Sequence, residues 1–81
     1  MQTRVAVIAI MVENQNSVSL LQNLLSECAE YIIGRMGIPY KQRNVNVISV
    51  VIDAPVDKIN TLTGKIGKLD GVNAKTVFSN V

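Results

Sequence analysis

The sequence predicts an α+β fold of ferredoxin-like type: a βαββαβ sandwich in which a four-stranded antiparallel sheet carries two helices on one face. Three observations lead there. Tyr31 to Tyr40 and Val45 to Ile52 are strand-like runs joined by the short polar link Lys41-Gln-Arg-Asn44, and Pro39, which has no N–H to offer a ladder, marks the end of the first. On either side of this hairpin lie one apolar strand-like run and one run of helical period. The resulting order, strand, helix, strand, strand, helix, strand, is that of the split βαβ motif. At 81 residues the chain is expected to be one domain, spanning 1–81.

Val5 to Val12 opens the order as an almost continuously apolar run, and its β-branched residues favour a strand over a helix. Val5, Val7 and Met11 point one way while Ile8, Ile10 and Val12 point the other, so both faces call for cover. Two helices can cover only one face of a four-stranded sheet. The other face, or an edge, is therefore expected to meet another subunit.

Glu13-Asn-Gln-Asn-Ser17 breaks the strand and offers Asn14, Asn16 or Ser17 as a helix N-cap, because a short polar side chain can accept from the free N–H groups of a first turn. A helix is expected from there to about Glu30. Its broad apolar stripe comprises Val18, Leu21, Leu25 and Cys28, joined by Leu20 and Leu24. In the hairpin, Gly34 and Gly37 stand inside a strand, where glycine weakens pairing. They signal a bulge or a close approach by a partner strand or ligand, with Arg35 and Met36 presented between them.

Val45 to Asp53 repeats the two-sided apolar pattern. Asp53-Ala-Pro55 ends that strand, and Pro55 is expected at the first helical position, where its missing N–H is not needed. Asp57 near the start of the second helix and Lys65 and Lys68 near its end complement the dipole, and Ile59, Leu62, Ile66 and Leu69 form its buried stripe. Gly64 and Gly67 weaken it by about 1 kcal/mol each relative to alanine, which implies a close neighbour or a loose last turn. Gly71 is the expected C′ glycine. Val72 to Phe78 is the last strand and the most amphipathic, which suits an edge.

Composition narrows the function. A domain this small buries only about 60% of its unfolded surface, and Cys28, the single cysteine, provides no disulfide framework. No apolar run approaches the ~20 residues of a membrane span, and no secretion signal is evident, so a cytoplasmic protein without membrane contact is expected. The eight Lys and Arg residues and six acids leave a net charge of +2, scattered over every element rather than gathered into a nucleic-acid footprint. With no histidine, one cysteine and dispersed acids, no zinc site, catalytic triad or acid–base pair is expected, and neither enzyme activity nor a cofactor. Gly64-Lys-Ile-Gly-Lys68 lies within and at the end of a helix rather than between strand and helix, so it is not a phosphate loop.

The two strand-to-helix loops, Glu13 to Ser17 and Asp53 to Pro55, are expected at one end of the sheet, where helix N-termini could receive an anionic group. Glu13, Asn14, Asn16, Arg35 and Met36 are the candidate ligand-binding residues. Helix capping and solvation alone are the competing account of the same positions.

Tyr31-Ile-Ile-Gly-Arg-Met-Gly-Ile-Pro-Tyr40, Ser49-Val-Val-Ile-Asp-Ala-Pro55 and Leu62-Thr-Gly-Lys-Ile-Gly-Lys-Leu-Asp-Gly-Val72 resemble the iron-only hydrogenase system regulators over nearly the whole chain. The resemblance implies a fold related to the ACT domain and to the C-terminal domain of the nickel-responsive repressor, both of which oligomerise and bind small effectors. At the positions that match the nickel ligands this chain has Gly37, Pro39 and Val45, which cannot ligate through their side chains. The glycine turn with which ACT domains hold an amino acid has no counterpart in Glu13-Asn-Gln-Asn-Ser17. The function expected is a regulatory homo-oligomer, dimer or tetramer, that senses a small-molecule effector or a partner protein. A directly DNA-binding regulator, with contacts from Arg4, Lys41, Arg43 or the Lys65/Lys68 end, and a structural assembly module are the alternatives.

Overall fold

Burial along β1 (Arg4–Val12) alternates residue by residue in a computed structural model that describes residues 2–80. Ala6, Ile8, Ile10 and Val12 are buried, whereas Val5, Val7, Ala9 and Met11 are exposed. The apolar residues are continuous in sequence, so only the pleat separates them into two sets. β3 (Val45–Ala54) repeats the division, with Ile48, Val50, Ile52 and Ala54 inward.

The strands are ordered β2-β3-β1-β4, all neighbours antiparallel, with β2 (Ile32–Tyr40) and β4 (Val72–Phe78) at the edges. Ile8 pairs with Val50 and Ile10 with Ile48, which lays the inward residues of β1 and β3 side by side. α1 (Val18–Glu27) supplies Leu21 and Leu25, and α2 (Val56–Gly67) supplies Ile59, Leu62 and Ile66, to the same core. Both helices therefore lie over one face of the sheet.

Small polar contacts pin α2. Thr63 Oγ1 donates to the Ile59 carbonyl at 2.8 Å and lies 2.7 Å from Thr76 Oγ1, so the hydroxyl of β4 donates to the hydroxyl of the helix. At the end of β4, Arg4 donates to the Ser79 carbonyl through Nε, at 3.1 Å, and Nη2, and its guanidinium lies 4.9 Å from the centroid of the Phe78 ring.

Three local expectations are corrected. The first helix ends at Glu27 rather than near Glu30: Cys28 leaves helical geometry at φ −109°, ψ 16°, and a 3₁₀ turn over Ala29–Tyr31 lowers the chain to the sheet, where Tyr31 packs against the core. Pro55 is not the first helical residue. Its ψ of 143° is extended, so it is the N-cap, and its carbonyl accepts from Lys58 N at 2.9 Å. The two strand-to-helix loops do not share an end of the sheet. Arg4 pairs with Ala54 and Val12 with Asn46, so β1 and β3 run in opposite directions and deliver Glu13 and Pro55 to opposite ends. An antiparallel β1–β3 pair requires this separation.

Candidate functional site

The face of the sheet away from the helices is chemically distinctive. Val5, Val7, Met11, Met36, Ile38, Tyr40 and Val77 lie on it and are 37% to 71% exposed. Register places them together: Val7 sits between Val51 and Val77, Met11 opposite Val47, and Val47 in turn opposite Ile38. Polar residues interrupt the apolar surface at Asn73 and Lys75 on β4 and at Ser49 and Asp53 on β3. Neither helix covers this face, which carries apolar side chains on all four strands.

At one end this surface grades into a polar groove of about 450 Å³ lined by Met11, Glu13, Tyr40, Arg43, Val45 and Asn73. Arg43 reaches it because Lys41–Arg43 is a single 3₁₀ turn closed by Asn44 in the left-handed conformation, φ 53°, which asparagine tolerates. The Tyr40 hydroxyl donates to Gln42 Oε1 at 2.9 Å across that turn.

The neighbouring loop is built for rigidity. Asn14 Oδ1 accepts from Asn16 N at 2.9 Å, capping the 3₁₀ turn Gln15–Ser17 that leads into α1, while Asn14 Nδ2 donates to Asp70 Oδ2 at 2.7 Å. Ser17, buried, donates to the Asp70 carbonyl at 2.6 Å. Glu13 N donates to the Gly71 carbonyl at 2.7 Å. Gly71 adopts φ +70°, and a Cβ there would lie 2.7 Å from Asn14 Cβ. The close approach at this loop is thus made by the β4-leading turn, and the polar side chain of Asn14 is occupied by it.

The candidate ligand-binding residues named from the sequence occupy separate places. Glu13 lines the polar groove, and Asn14 and Asn16 form the cap just described. Arg35 lies on the helix side, where Nη2 donates to Gln22 Oε1 of α1 at 2.7 Å, whereas Met36, the next residue, is on the open face. The pleat of β2 parts the last two. Gly34 stands at a register shift between Ile32 and Gly34, the bulge expected from a glycine within the strand. The chain itself brings no atom within 4 Å of a Cβ at Gly34, and only Ile48 Cγ1, at 3.9 Å, near one at Gly37.

Sequence reasoning missed a cleft of about 510 Å³ between the helices, lined by Leu24, Glu27 and Cys28 of the α1 side and by Pro55, Asp57, Lys58, Thr61, Leu62 and Lys65 of the α2 side. Helical spacing carried a signal for it: Lys58, Thr61 and Lys65 recur on one flank of the apolar stripe of α2, and Leu24 and Cys28 on one flank of that of α1. Helical spacing placed Cys28 on the apolar stripe of the first helix. It does pack against the core, half-buried, but the fold brings both Lys58 and Lys65 close enough to act on it. Burial pushes the thiol up, Glu27 and Glu30 add to the rise, and Lys58 and Lys65 oppose it. The rise prevails, so the group is a neutral thiol at pH 7 and not a thiolate nucleophile.

Among the described residues, no cluster of three or more His, Cys, Asp or Glu side chains could hold a metal ion, and no helix is long and apolar enough to cross a membrane. All buried side-chain nitrogens and oxygens among them have hydrogen-bond partners.

Comparison with curated proteins gives no match. The fold is similar to the solved structure of the uncharacterized protein TM1266 from Thermotoga maritima, with a TM-score of 0.91 and 31% identity over 95% of this chain and 98% of that one. Residues 4–76 match the model of the TM1266-like family, described as "Iron-only hydrogenase system regulator, putative". With nine-tenths of its length matched, the chain belongs to the TM1266-like family.

Proposed function

We propose that this protein is a regulatory module of ferredoxin-like, ACT-like architecture, a single domain that works as a homo-oligomer and responds to a small effector or a partner protein. The carrying observation is the open apolar face of the sheet. Apolar surface gains roughly 25 cal/mol for each Å² removed from water, and a contiguous patch of this kind is uncommon on a protein that works alone. Four strands of seven to ten residues, at ~3.3 Å per residue and ~4.8 Å between strands, give the face a footprint on the order of 500 Å². A standard interface buries about 800 Å² per partner. A second copy of the same face supplies a surface of matching size and polarity, and stacking two sheets is an ordinary way to close a core.

The family description supports the regulatory part of the reading. The positions of the cations support a protein or small molecule as the signal rather than DNA. Arg4 is held at the Phe78 edge, Arg35 against α1, and Lys75 lies on the open face, so these charges point in different directions.

Native mass spectrometry of the purified protein at micromolar concentration tests the proposal. A dimer or tetramer is expected, and Val7→Glu with Ile38→Glu is expected to give a folded monomer. A monomeric wild-type protein would overturn the reading.

A further inference from the structure

The helix-helix cleft lies on the opposite side of the sheet from the open face, and its chemistry is specific. Leu24 and Leu62 form an apolar floor, and the neutral Cys28 thiol continues it. Lys58 and Lys65 stand seven residues apart on α2, about 10 Å along the axis, with Thr61 between them. Lysine stems are long enough to bring both ammonium groups toward one point above Thr61. Among the described residues neither lysine's ammonium group is held in a hydrogen bond or ion pair. The volume of about 510 Å³ falls within the range of small-molecule sites, which are mostly apolar with a few converging polar groups.

We propose that this cleft binds a small amphipathic monocarboxylate, its apolar body against Leu24 and Leu62 and its carboxylate between Lys58 and Lys65. Charge selects the class. Glu27 and Asp57 also line the cleft, so the lysines' charge is balanced at the rim and a phosphate or other dianion meets two carboxylates. A single carboxylate sits between the ammoniums and leaves its chain where water is poorly satisfied. The Thr61 hydroxyl adds a neutral donor to the same oxygen pair. This assigns an effector class to the regulatory module, and it rests on that reading for its purpose but not for its binding.

The test is an amide NMR titration of the full-length protein with octanoate, and in parallel with 1-octanol and with inorganic phosphate. Octanoate is expected to produce saturable shifts at residues 24–28 and 57–65. Octanol, equal in chain length but uncharged, is expected to bind about tenfold more weakly or worse, and phosphate not to shift these amides. The double variant Lys58→Gln, Lys65→Gln alters two exposed side chains and is expected to keep the wild-type spectrum while losing octanoate affinity by about tenfold or more. Octanoate shifts that map to the open sheet face, equal binding by octanol, undiminished binding by the double variant, or no saturable shift would each overturn the proposal. Native mass spectrometry of the same samples reports the oligomer independently, so loss of the ligand proposal and loss of the oligomer reading are separate results.

Discussion

The two faces of the sheet are made from the same strands and nearly the same residue types, yet one is sealed by α1 and α2 and the other is open. Ile8 and Val7 are adjacent in β1; the first is inaccessible to water and the second 38% exposed. Nothing in the local chemistry of valine and isoleucine separates them, so the difference lies in what the chain has available to cover each side. Ten residues of α1 and twelve of α2 cover one face, and among the described residues no helix covers the other. An apolar face left open by these two helices is the surface that the proposed assembly would cover.

The sharpest way to break this comparison is to truncate both neighbours. Ile8→Ala removes methyl groups from a site with no room to collapse and is expected to cost about 2–5 kcal/mol in a urea titration, enough to unfold a large share of a domain this small. Val7→Ala, one residue away, is expected to leave intrinsic stability within about 1 kcal/mol while weakening the oligomer. If both variants unfold equally at concentrations where the protein is monomeric, the two faces do not differ as described.

A smaller effect comes from the turn that joins the two helical ends. Gly71→Ala places a Cβ both in the left-handed region, at φ +70°, and 2.7 Å from Asn14 Cβ. It is expected to cost roughly 1–3 kcal/mol, read as a lowered urea midpoint. Asn14→Ala removes one cap acceptor and the contact with Asp70, with an expected cost of about 1 kcal/mol. Both belong to the covered side's scaffold, so neither should change the oligomer mass; a shift in mass would mean that this loop takes part in assembly.

The element order and the inward and outward sets of β1, β3 and β4 were legible because they depend on periods of two and of three to four residues, which the sequence carries directly. The demand for a cover on the second face was legible too, as an excess of apolar residues over available helices. The candidate site was read less well, and the reason is geometric. Arg35 and Met36 are neighbours in sequence but lie on opposite faces, and Glu13 and Pro55 terminate antiparallel strands and so cannot meet. The cleft was overlooked because it is made between elements: Cys28 acquires Lys58 and Lys65 as neighbours only after both helices dock on one sheet.

On the outer surface of α2, Gly64 and Gly67 extend the comparison to the helices. A Cβ at either position meets nothing within 4 Å, so the close neighbour that glycine there suggested is not supplied by the chain. Gly64→Ala is expected to stabilise the isolated domain by about 0.5–1 kcal/mol through helix propensity. A loss of stability, seen only at concentrations where the oligomer forms, would show that a second copy also covers this side and that the open sheet face is not the sole interface.

The smallest predicted effect concerns Cys28 at the margin of the covered side. Its pKa is raised in the folded protein, first by burial and then by Glu27, so folding favours the neutral thiol. The unfolded chain releases this proton at a lower pH than the folded chain does. The stabilising contribution is therefore fully present below the ordinary thiol pKa and is lost as the pH rises through that value to the raised one. Stability of the wild type is expected to fall slightly more than that of Cys28→Ser over this alkaline window, measured by urea unfolding under reducing conditions. Lys58→Gln with Lys65→Gln should enlarge the fall, because those lysines are what restrains the rise. An unchanged or reversed difference would mean that the cleft does not bring the two ammonium groups to the thiol.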